Sequence, residues 1–279
     1  MSRPPGSPVA SPGEIGASLW RNRALVSMLA KREALGRYKG SLLGIAWSFL
    51  HPLLMLSVYT FVFSTVFKAR WTADTASSGT TLEYALHLFA GILIYTLFAE
   101  CVTRAPALVL ANVNYVKKVA FPLEVLPWVS LGSALFHFAV GLLIWLIFHA
   151  AFFGAPPVTA LLLPLVMAPL VLFILGLCWL LAALGVYLRD VGQIVGILTS
   201  ALIFLSPIFY PITALPEAFR PYLYLNPLTP AAEQARAVLI LGQMPDWRMF
   251  AIFLAVSVIV AVLGFAFFQK TRKGFADVL

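Results

Sequence analysis

The most regular feature of this sequence is a series of long apolar runs separated by short polar stretches. A helix of about 20 apolar residues crosses a bilayer hydrocarbon core about 30 Å thick. Six runs meet this length, and we expect each to be a transmembrane helix. They cover residues 45–67, 84–103, 125–153, 158–187, 191–211 and 249–268. The pattern therefore predicts an all-α integral membrane protein with six spans.

The residues before the first run show two other patterns. Residues 1–12 are rich in Pro, Ser and Gly without any apolar period, so we expect a disordered tail. In residues 15–35 the apolar positions fall near one side of a helix, and basic residues are interspersed or follow. This pattern is typical of an amphipathic helix at the membrane surface. We expect residues 13–279 to form a single transmembrane domain.

The distribution of Lys and Arg predicts the orientation. Six spans place both termini on the same side of the membrane. If that side is the cytoplasm, 14 of the 19 basic residues lie on cytoplasmic segments, whereas acidic residues divide almost evenly. Cytoplasmic loops carry the excess of Lys and Arg in membrane proteins. We therefore expect both termini in the cytoplasm.

Two predicted connections are long enough to have structure of their own. Residues 105–124 join spans two and three on the cytoplasmic side, and residues 212–248 join spans five and six on the outer side. The outer connection carries more apolar and aromatic residues than a solvated loop needs. We expect two short re-entrant helices there, with a break at Asn226-Pro227 because the residue before a proline disfavours helix.

The composition excludes an ordinary soluble domain. Of the 279 residues 61% are hydrophobic and 11% charged, against about 45–50% and about 25% in soluble proteins. Membrane lipid must therefore be the main solvent of the chain. The net charge of +8 lies on the predicted cytoplasmic segments, so it requires no nucleic-acid partner. Cys101 and Cys178 lie in apolar runs and are predicted to be small buried side chains.

The sequence lacks the short motifs of self-sufficient catalysis. It has no G-x-x-x-x-G-K-[ST] phosphate loop, no H-E-x-x-H and no G-x-S-x-G. The acid and base within the runs are Glu100 and Arg104, four residues apart on one helix face. They form an i,i+4 ion pair near the interface, a brace for the following loop, or a proton relay. We predict a transport subunit without a metal site, driven by a partner, rather than an enzyme.

The strongest motif reads GRYKGSLLGIAWSFLHPL at residues 36–53, where a basic cluster, glycines and a tryptophan occur in a defined order. The later motifs are NVNYVKKVAFPLE at 112–124, LRDVGQI at 188–194, SPIFYP at 206–211, NPLT at 226–229 and FADVL at 275–279. In this order they resemble the membrane subunits of polysaccharide-exporting ABC transporters, a class that includes O-antigen, teichoic acid and capsule permeases. One departure is His51, where asparagine is commoner in that class.

The resemblance implies a homodimeric permease in the bacterial inner membrane that works with two copies of a separate ATPase subunit. ATP and Mg would bind to the ATPase, so this chain itself is expected to bind no cofactor. The implied substrate is a polysaccharide linked to undecaprenyl diphosphate. The composition, rich in Ala, Pro, Gly and Arg, and the close motif match favour O-antigen over teichoic acid or capsule.

The resemblance also implies how the ATPase is coupled to the spans. A cytoplasmic helix over residues 110–121, ended by Pro122, would seat on the ATPase and carry its motion. The surface helix at 15–35 would contact the same partner or anchor the chain to the membrane. Lys117 and Lys118 would meet acidic or phosphate groups, or only set the topology. The predicted coupling residues are Asn112, Asn114, Tyr115, Lys117, Lys118, Phe121 and Pro122.

Two further sets are candidates for substrate contact. Arg37, Tyr38 and Lys39 lie where a lipid diphosphate would arrive from the cytoplasmic leaflet, and they bind it or only set the topology. Aromatic rings offer apolar contact to sugar C–H groups, which suits a sliding polymer; packing against lipid or helices is the alternative. The predicted polysaccharide path consists of Trp47, His51, Tyr59, Phe63, Phe204 and Tyr210.

Two other classes of function stay open on sequence alone. A membrane enzyme that acts on lipid-linked glycans would need outer catalytic acids, and Glu217, Glu233 and Asp246 are available there without a pattern that joins them. An exporter of drugs or small lipids with the same architecture is the second.

Overall fold

The computed structural model describes residues 12–37, 39–66, 71, 81–116 and 121–279, and all regular structure within them is helical. Residues 1–11 of the predicted tail lie outside this range, as do Tyr38, Lys117 and Lys118. The described α-helices are α1 Pro12–Gly36, α2 Trp47–Thr60, α3 Thr81–Arg104, α4 Val113–Val116, α5 Leu126–Phe153, α6 Leu163–Tyr187, α7 Val191–Leu202, α8 Arg220–Leu223, α9 Leu228–Leu239, α10 Trp247–Thr271 and α11 Phe275–Val278.

Short helical turns of other types extend or connect these helices. A π-helical stretch, Phe61–Val66, continues α2. The 3₁₀ turns are Gly44–Ala46, Ala105–Ala107, Leu110–Asn112, Leu123–Val125, Val158–Leu162, Ile212–Ala214, Glu217–Phe219 and Arg272–Gly274.

Four helical stretches in the described residues are long and apolar enough to cross a membrane. They are Thr81–Ala107, Leu123–Phe153, Val158–Tyr187 and Trp247–Val278, which correspond to predicted spans two, three, four and six. The helices at predicted spans one and five are shorter, Trp47–Phe63 and Val191–Leu202. The fifth falls short because α7 ends before Pro207 and Pro211, which lack the N–H that a helix needs.

The core is built around α3, which is packed by α5, α6, α7 and α9. Two tryptophans lie completely buried in it, and each directs its indole N–H to a backbone carbonyl. Trp145 donates to the carbonyl of Leu86 and Trp179 to that of Glu124, both at 3.1 Å. Their large apolar surface is thus buried without an unpaired donor. Cys101 and Cys178 are buried free thiols, as predicted.

Among the described helices, α6 and α10 make the most extensive contact, and they cross at two glycines. A Cβ atom on Gly176 would lie 2.6 Å from the carbonyl oxygen of Val260, and one on Gly264 would collide with the backbone of Gly176. Small residues allow backbones to approach in this way, and close van der Waals packing is what holds helices together in lipid.

One side of α1 packs on the beginning of α5. Val26, Leu29 and Ala30 contact Val125 and Val129, and Trp20 and Met28 are exposed on other sides of the helix. The structure therefore has a helix where the sequence predicts the amphipathic one. Its apolar face is buried against the start of α5.

The predicted helix over residues 110–121 differs in the structure. Described helix ends at Val116, and Phe121 and Pro122 are not helical. The prediction that the helix reaches Phe121 is wrong, because Pro122 disfavours α-helical backbone in the residue before it and is itself extended, with φ −77° and ψ 92°.

The later motifs hold the segment between α7 and α10 and the C-terminal segment in place. The Asn226 amide donates to the Ser206 hydroxyl at 2.7 Å, which joins the SPIFYP and NPLT motifs, and α8 and α9 lie on either side of Asn226. In the FADVL motif, Phe275 is completely buried and its ring contacts Tyr187 and Phe268.

We predict that Gly176→Ala destabilises the protein by about 1–3 kcal/mol, because the added methyl group meets the backbone of α10. The measurement is the melting temperature of the purified chain in detergent. Gly196→Ala on α7 is the matched control, since a Cβ there meets no atom within 4 Å. Equal melting temperatures for the two variants would contradict the close crossing.

Candidate functional site

One cavity brings together residues from three of the predicted functional sets. It has a volume of about 490 Å³ and lies between α2, α3 and α5. Its lining includes Arg37 of the predicted diphosphate set, Trp47, His51 and Tyr59 of the predicted path, and Glu100 of the predicted ion pair. Apolar side chains form most of the remaining wall. We take this cavity as the candidate functional site.

The wall that α2 contributes follows from the spacing of its residues. Trp47, His51, Met55 and Tyr59 are four residues apart, and each step of four turns by about 40° around a straight helix. Their side chains therefore stay near one side of α2 over three turns. All four line the cavity.

Four ionisable side chains meet at one end of the cavity, which we call the charged end. Arg37 Nη2 donates to Glu100 Oε1 at 2.6 Å, and His137 Nδ1 lies 3.0 Å from Glu100 Oε2. Arg104 Nη1 lies 3.7 Å from Glu100 Oε1, so the predicted ion pair is present but is not the closest contact. The Glu100 side chain is only 8% exposed. A carboxylate this deeply buried needs such partners.

Two neighbouring residues of α1 connect the charged end to the segment between α3 and α5. Glu33 pairs with Arg104, and Arg32 Nη2 donates to the hydroxyl of Tyr115 on α4 at 3.2 Å. Because the end of α3 and the middle of the connection are both bonded to α1, this geometry favours the brace among the three interpretations of Glu100 and Arg104.

Tyr59, at the other end of the cavity, connects its wall to a cluster of aromatic rings behind it, and we call this end the aromatic end. Phe209 is 4% exposed and lies at the centre. Its ring stacks on Phe63 with centroids 4.5 Å apart, and it contacts Tyr59 at 5.5 Å and Phe204 at 5.6 Å. The Tyr210 hydroxyl donates to the carbonyl of Phe204. Phe63, Phe204 and Tyr210 therefore belong to this cluster, while Tyr59 also lines the cavity.

A buried arginine that sequence reasoning missed fixes the backbone beside the aromatic end. Arg236 on α9 is 3% exposed. Its guanidinium donates to the carbonyls of His87 and Ile208, both at 3.2 Å, and to that of Pro207. It also pairs with Glu233 at 3.1 Å. The Glu233–Arg236 spacing of three residues on a helix was the available signal, but Arg236 counted only as an outer charge in the topology.

The surroundings of Arg236 are shaped to receive it. Its guanidinium carbon lies 4.2 Å from the ring centre of Trp71. Its Nη2 atom lies beside Gly91, where a Cβ atom would be only 2.6 Å from it. Burial lowers the pKa of Arg236 to about 10, against the opposing charge of Glu233. The guanidinium therefore stays charged at neutral pH, where it holds Pro207 and Ile208 against α3.

The remaining predicted residues lie away from the cavity or outside the described residues. Asn114 and Lys39 are exposed. The Asn112 amide donates to the carbonyl of Leu108, and Tyr115 stacks on Phe121 with ring centres 4.2 Å apart. Tyr38, Lys117 and Lys118 are outside the described residues.

The three outer acids available to a membrane enzyme each have a local partner. Glu217 lies 3.9 Å from Arg220, Glu233 pairs with Arg236, and Asp246 accepts two backbone N–H groups as the N-cap of α10. The described part of the chain contains no group of three His, Cys, Asp or Glu side chains placed to hold a metal ion.

Comparison with known proteins gives consistent matches over most of the chain. The family model described as "ABC-2 type transporter" matches residues 24–240. The O-antigen export system permease protein RfbA of Myxococcus xanthus is 28% identical over 93% of this chain and 96% of its own length. The protein of the same name from Klebsiella pneumoniae is 25% identical over 91% and 95%. The polysialic acid transport protein KpsM of Escherichia coli is 22% identical over 90% and 94%.

We predict that Arg236→Gln destabilises the protein by about 3 kcal/mol, because it removes hydrogen bonds from a charged donor to at least two buried carbonyls. Thermal unfolding in detergent measures the change. Arg248→Gln is the matched control, since Arg248 is an exposed arginine in the first turn of α10. If both variants unfold at the wild-type temperature, Arg236 is not the anchor described above.

Proposed function

Because the chain belongs to the ABC-2 type transporter family, we propose that it is the membrane permease of an ATP-driven exporter of lipid-linked O-antigen. It is a transport subunit rather than an enzyme, and the family implies a partner ATPase subunit. ATP and Mg would bind to that partner. The relatives named for O-antigen export match more than nine-tenths of this chain, which supports the same substrate class here.

The observation that carries the proposal is the cavity with two chemically different ends. Arginine side chains suit an anionic diphosphate at the charged end. At the aromatic end, the ring of Tyr59 on the cavity wall suits the apolar faces of sugars. A substrate that joins a diphosphate to a sugar chain has the same order of chemistry. The cavity volume falls in the range of small-molecule sites, so it would hold only the diphosphate and the first sugars.

A second copy of the chain would complete the path. On α7, Ile194, Ile197 and Leu198 are exposed at helical spacing, and on α2 Leu54 and Val58 are exposed beside the cavity wall. In a homodimer these apolar faces would be covered by protein, and the polymer would pass between the copies. Two ATPase subunits would then serve the two permeases.

The proposed topology has six spans in the bacterial inner membrane with both termini in the cytoplasm. The shorter helices α2 and α7 would be the first and fifth spans, with the π-helical stretch and the SPIFYP segment completing their crossing. The segment from α8 to α9 would form the two outer re-entrant helices. The charge distribution of the loops supports this orientation.

The contact of Arg32 with Tyr115 supports a route for coupling to the ATPase. Tyr115 lies in the connection that faces the cytoplasm in this topology, and Arg32 and Glu33 connect it to Arg104 at the end of α3. Movement of the connection on the ATPase would reach the charged end through these side chains.

A capsule exporter is the second candidate. The match to the polysialic acid transport protein covers 90% of this chain and favours that alternative within the same family. A teichoic acid exporter or an exporter of small lipids would use the same architecture.

The complex with its ATPase subunits in nanodiscs tests the proposal. Undecaprenyl-diphosphate-linked O-antigen is expected to stimulate ATP hydrolysis, and the permease without the ATPase is expected to move no substrate uphill. Stimulation by a capsular polymer alone would support the second candidate. Stimulation by neither polymer, together with uphill transport by the isolated chain, would overturn the proposal.

We predict that Tyr59→Ala reduces export severalfold, because Tyr59 both lines the cavity and contacts Phe209, and one aromatic contact contributes about 0.5–1.5 kcal/mol. The measurement is polysaccharide at the cell surface, normalised to the amount of permease in the membrane. Phe152→Ala, an exposed ring on α5 away from the cavity, is expected to export normally. Undiminished export by Tyr59→Ala would remove this ring from the path.

A further inference from the structure

The carboxylate of Glu100 is bonded to Arg37, which is the cation that a diphosphate would use. Arg37 Nη2 is bonded to Glu100 at 2.6 Å, in a cavity that we assign to the diphosphate end of the substrate. A second anion cannot take the same N–H group without displacing the first. On the basis of the proposed function, we propose that Glu100 is an internal competitor for the diphosphate, exchanged at Arg37 when substrate binds and returned when it leaves.

The other partners of Glu100 make this exchange possible. When Arg37 moves to a diphosphate, His137 stays 3.0 Å from one Glu100 oxygen and Arg104 stays 3.7 Å from the other. The buried carboxylate is therefore not left without a compensating group, which would be strongly unfavourable. Arg104 keeps its own pair with Glu33.

Arg37 is the member of the cluster that is placed to move. Its side chain is 43% exposed, against 37% for Arg104, which is the last residue of α3, 8% for Glu100 and 12% for His137. Glu100 and His137 lie within the long helices α3 and α5. Arg37 follows the end of α1, in a connection where Gly40 and Gly44 have positive φ and no neighbouring atoms within 4 Å of a Cβ position.

The charge difference between the two ligands sets the direction of exchange. A diphosphate carries more negative charge than a carboxylate and, like a carboxylate, can accept two parallel hydrogen bonds from a guanidinium, so it displaces Glu100 from Arg37 when present. Glu100 lowers the net affinity, and its return to Arg37 helps the headgroup to leave. Glu100 therefore weakens binding of the lipid diphosphate but speeds its release, which favours repeated transport cycles.

The test uses the complex of permease and ATPase in nanodiscs, titrated with undecaprenyl diphosphate. Glu100→Gln keeps a side chain of the same size without its charge. We expect the half-saturating concentration to fall about tenfold and the maximal stimulated ATPase rate to fall at least threefold. A merely structural role for Glu100 would instead weaken binding. Glu217→Gln, at an exposed acid far from the charged end, is the matched control and should change neither value.

A second variant separates this inference from the proposed function. Arg37→Gln is expected to raise the half-saturating concentration at least tenfold, and adding Glu100→Gln to it should give no recovery. If Arg37→Gln changes nothing, the diphosphate site itself is refuted. If Arg37→Gln weakens binding but Glu100→Gln does not strengthen it, only the competition is refuted. If Glu100→Gln alone yields less folded complex, comparison of the double variant with Arg37→Gln still measures the effect of removing the Glu100 charge.

Two further ligands identify what is recognised. Undecaprenol lacks the diphosphate and should bind both wild type and Glu100→Gln equally weakly. Inorganic pyrophosphate that competes with the lipid, with the same gain in Glu100→Gln, would assign recognition to the diphosphate alone. A gain seen only with the lipid would assign it to the headgroup presented at the membrane. A gain with undecaprenol would overturn the exchange.

Discussion

The constraint on which the rest of this structure depends is that a charge inside a lipid-embedded protein must be matched by protein groups. Water is not available there to solvate it, and the cost of a stranded ion is several kcal/mol. Two examples among the described residues are the carboxylate of Glu100, held by two arginines and a histidine, and the guanidinium of Arg236, held by carbonyls and Glu233. Each solution recruits several separate parts of the chain to one point.

These two points are linked by α3. Glu100 belongs to this helix, and Arg236 is bonded to the carbonyl of His87 thirteen residues earlier, about 20 Å away along the axis. The cavity lies between them, with the charged end at one side and the aromatic end at the other. A deeply buried helix therefore fixes the distance between the two kinds of chemistry, while the less buried α2 and α7 present surfaces that a second protein or lipid can contact.

Sequence patterns gave the helical class, four of the spans by length, the buried thiols and the i+4 wall of α2, since all of these are local properties of apolar spacing. Glu100 was identifiable because it interrupts an apolar run, and Arg104 because it directly follows that run. Their partners Arg37, Glu33 and His137 were not, because they are 37 to 71 residues distant and only the fold brings them together. Arg236 was missed for the same reason. The coupling helix was predicted to reach Phe121 because Pro122 was treated only as its end. A proline also disfavours helix in the residue before it.

The buried position of Cys101 next to Glu100 has a practical consequence. The chain contains only two cysteines, and both are buried free thiols. A maleimide added from solution can therefore react with Cys101 only while neighbouring helices separate from α3. The unmodified protein thus carries its own reporter for transient opening beside the charged end, and the labelling rate during ATP turnover would time that opening without any introduced probe.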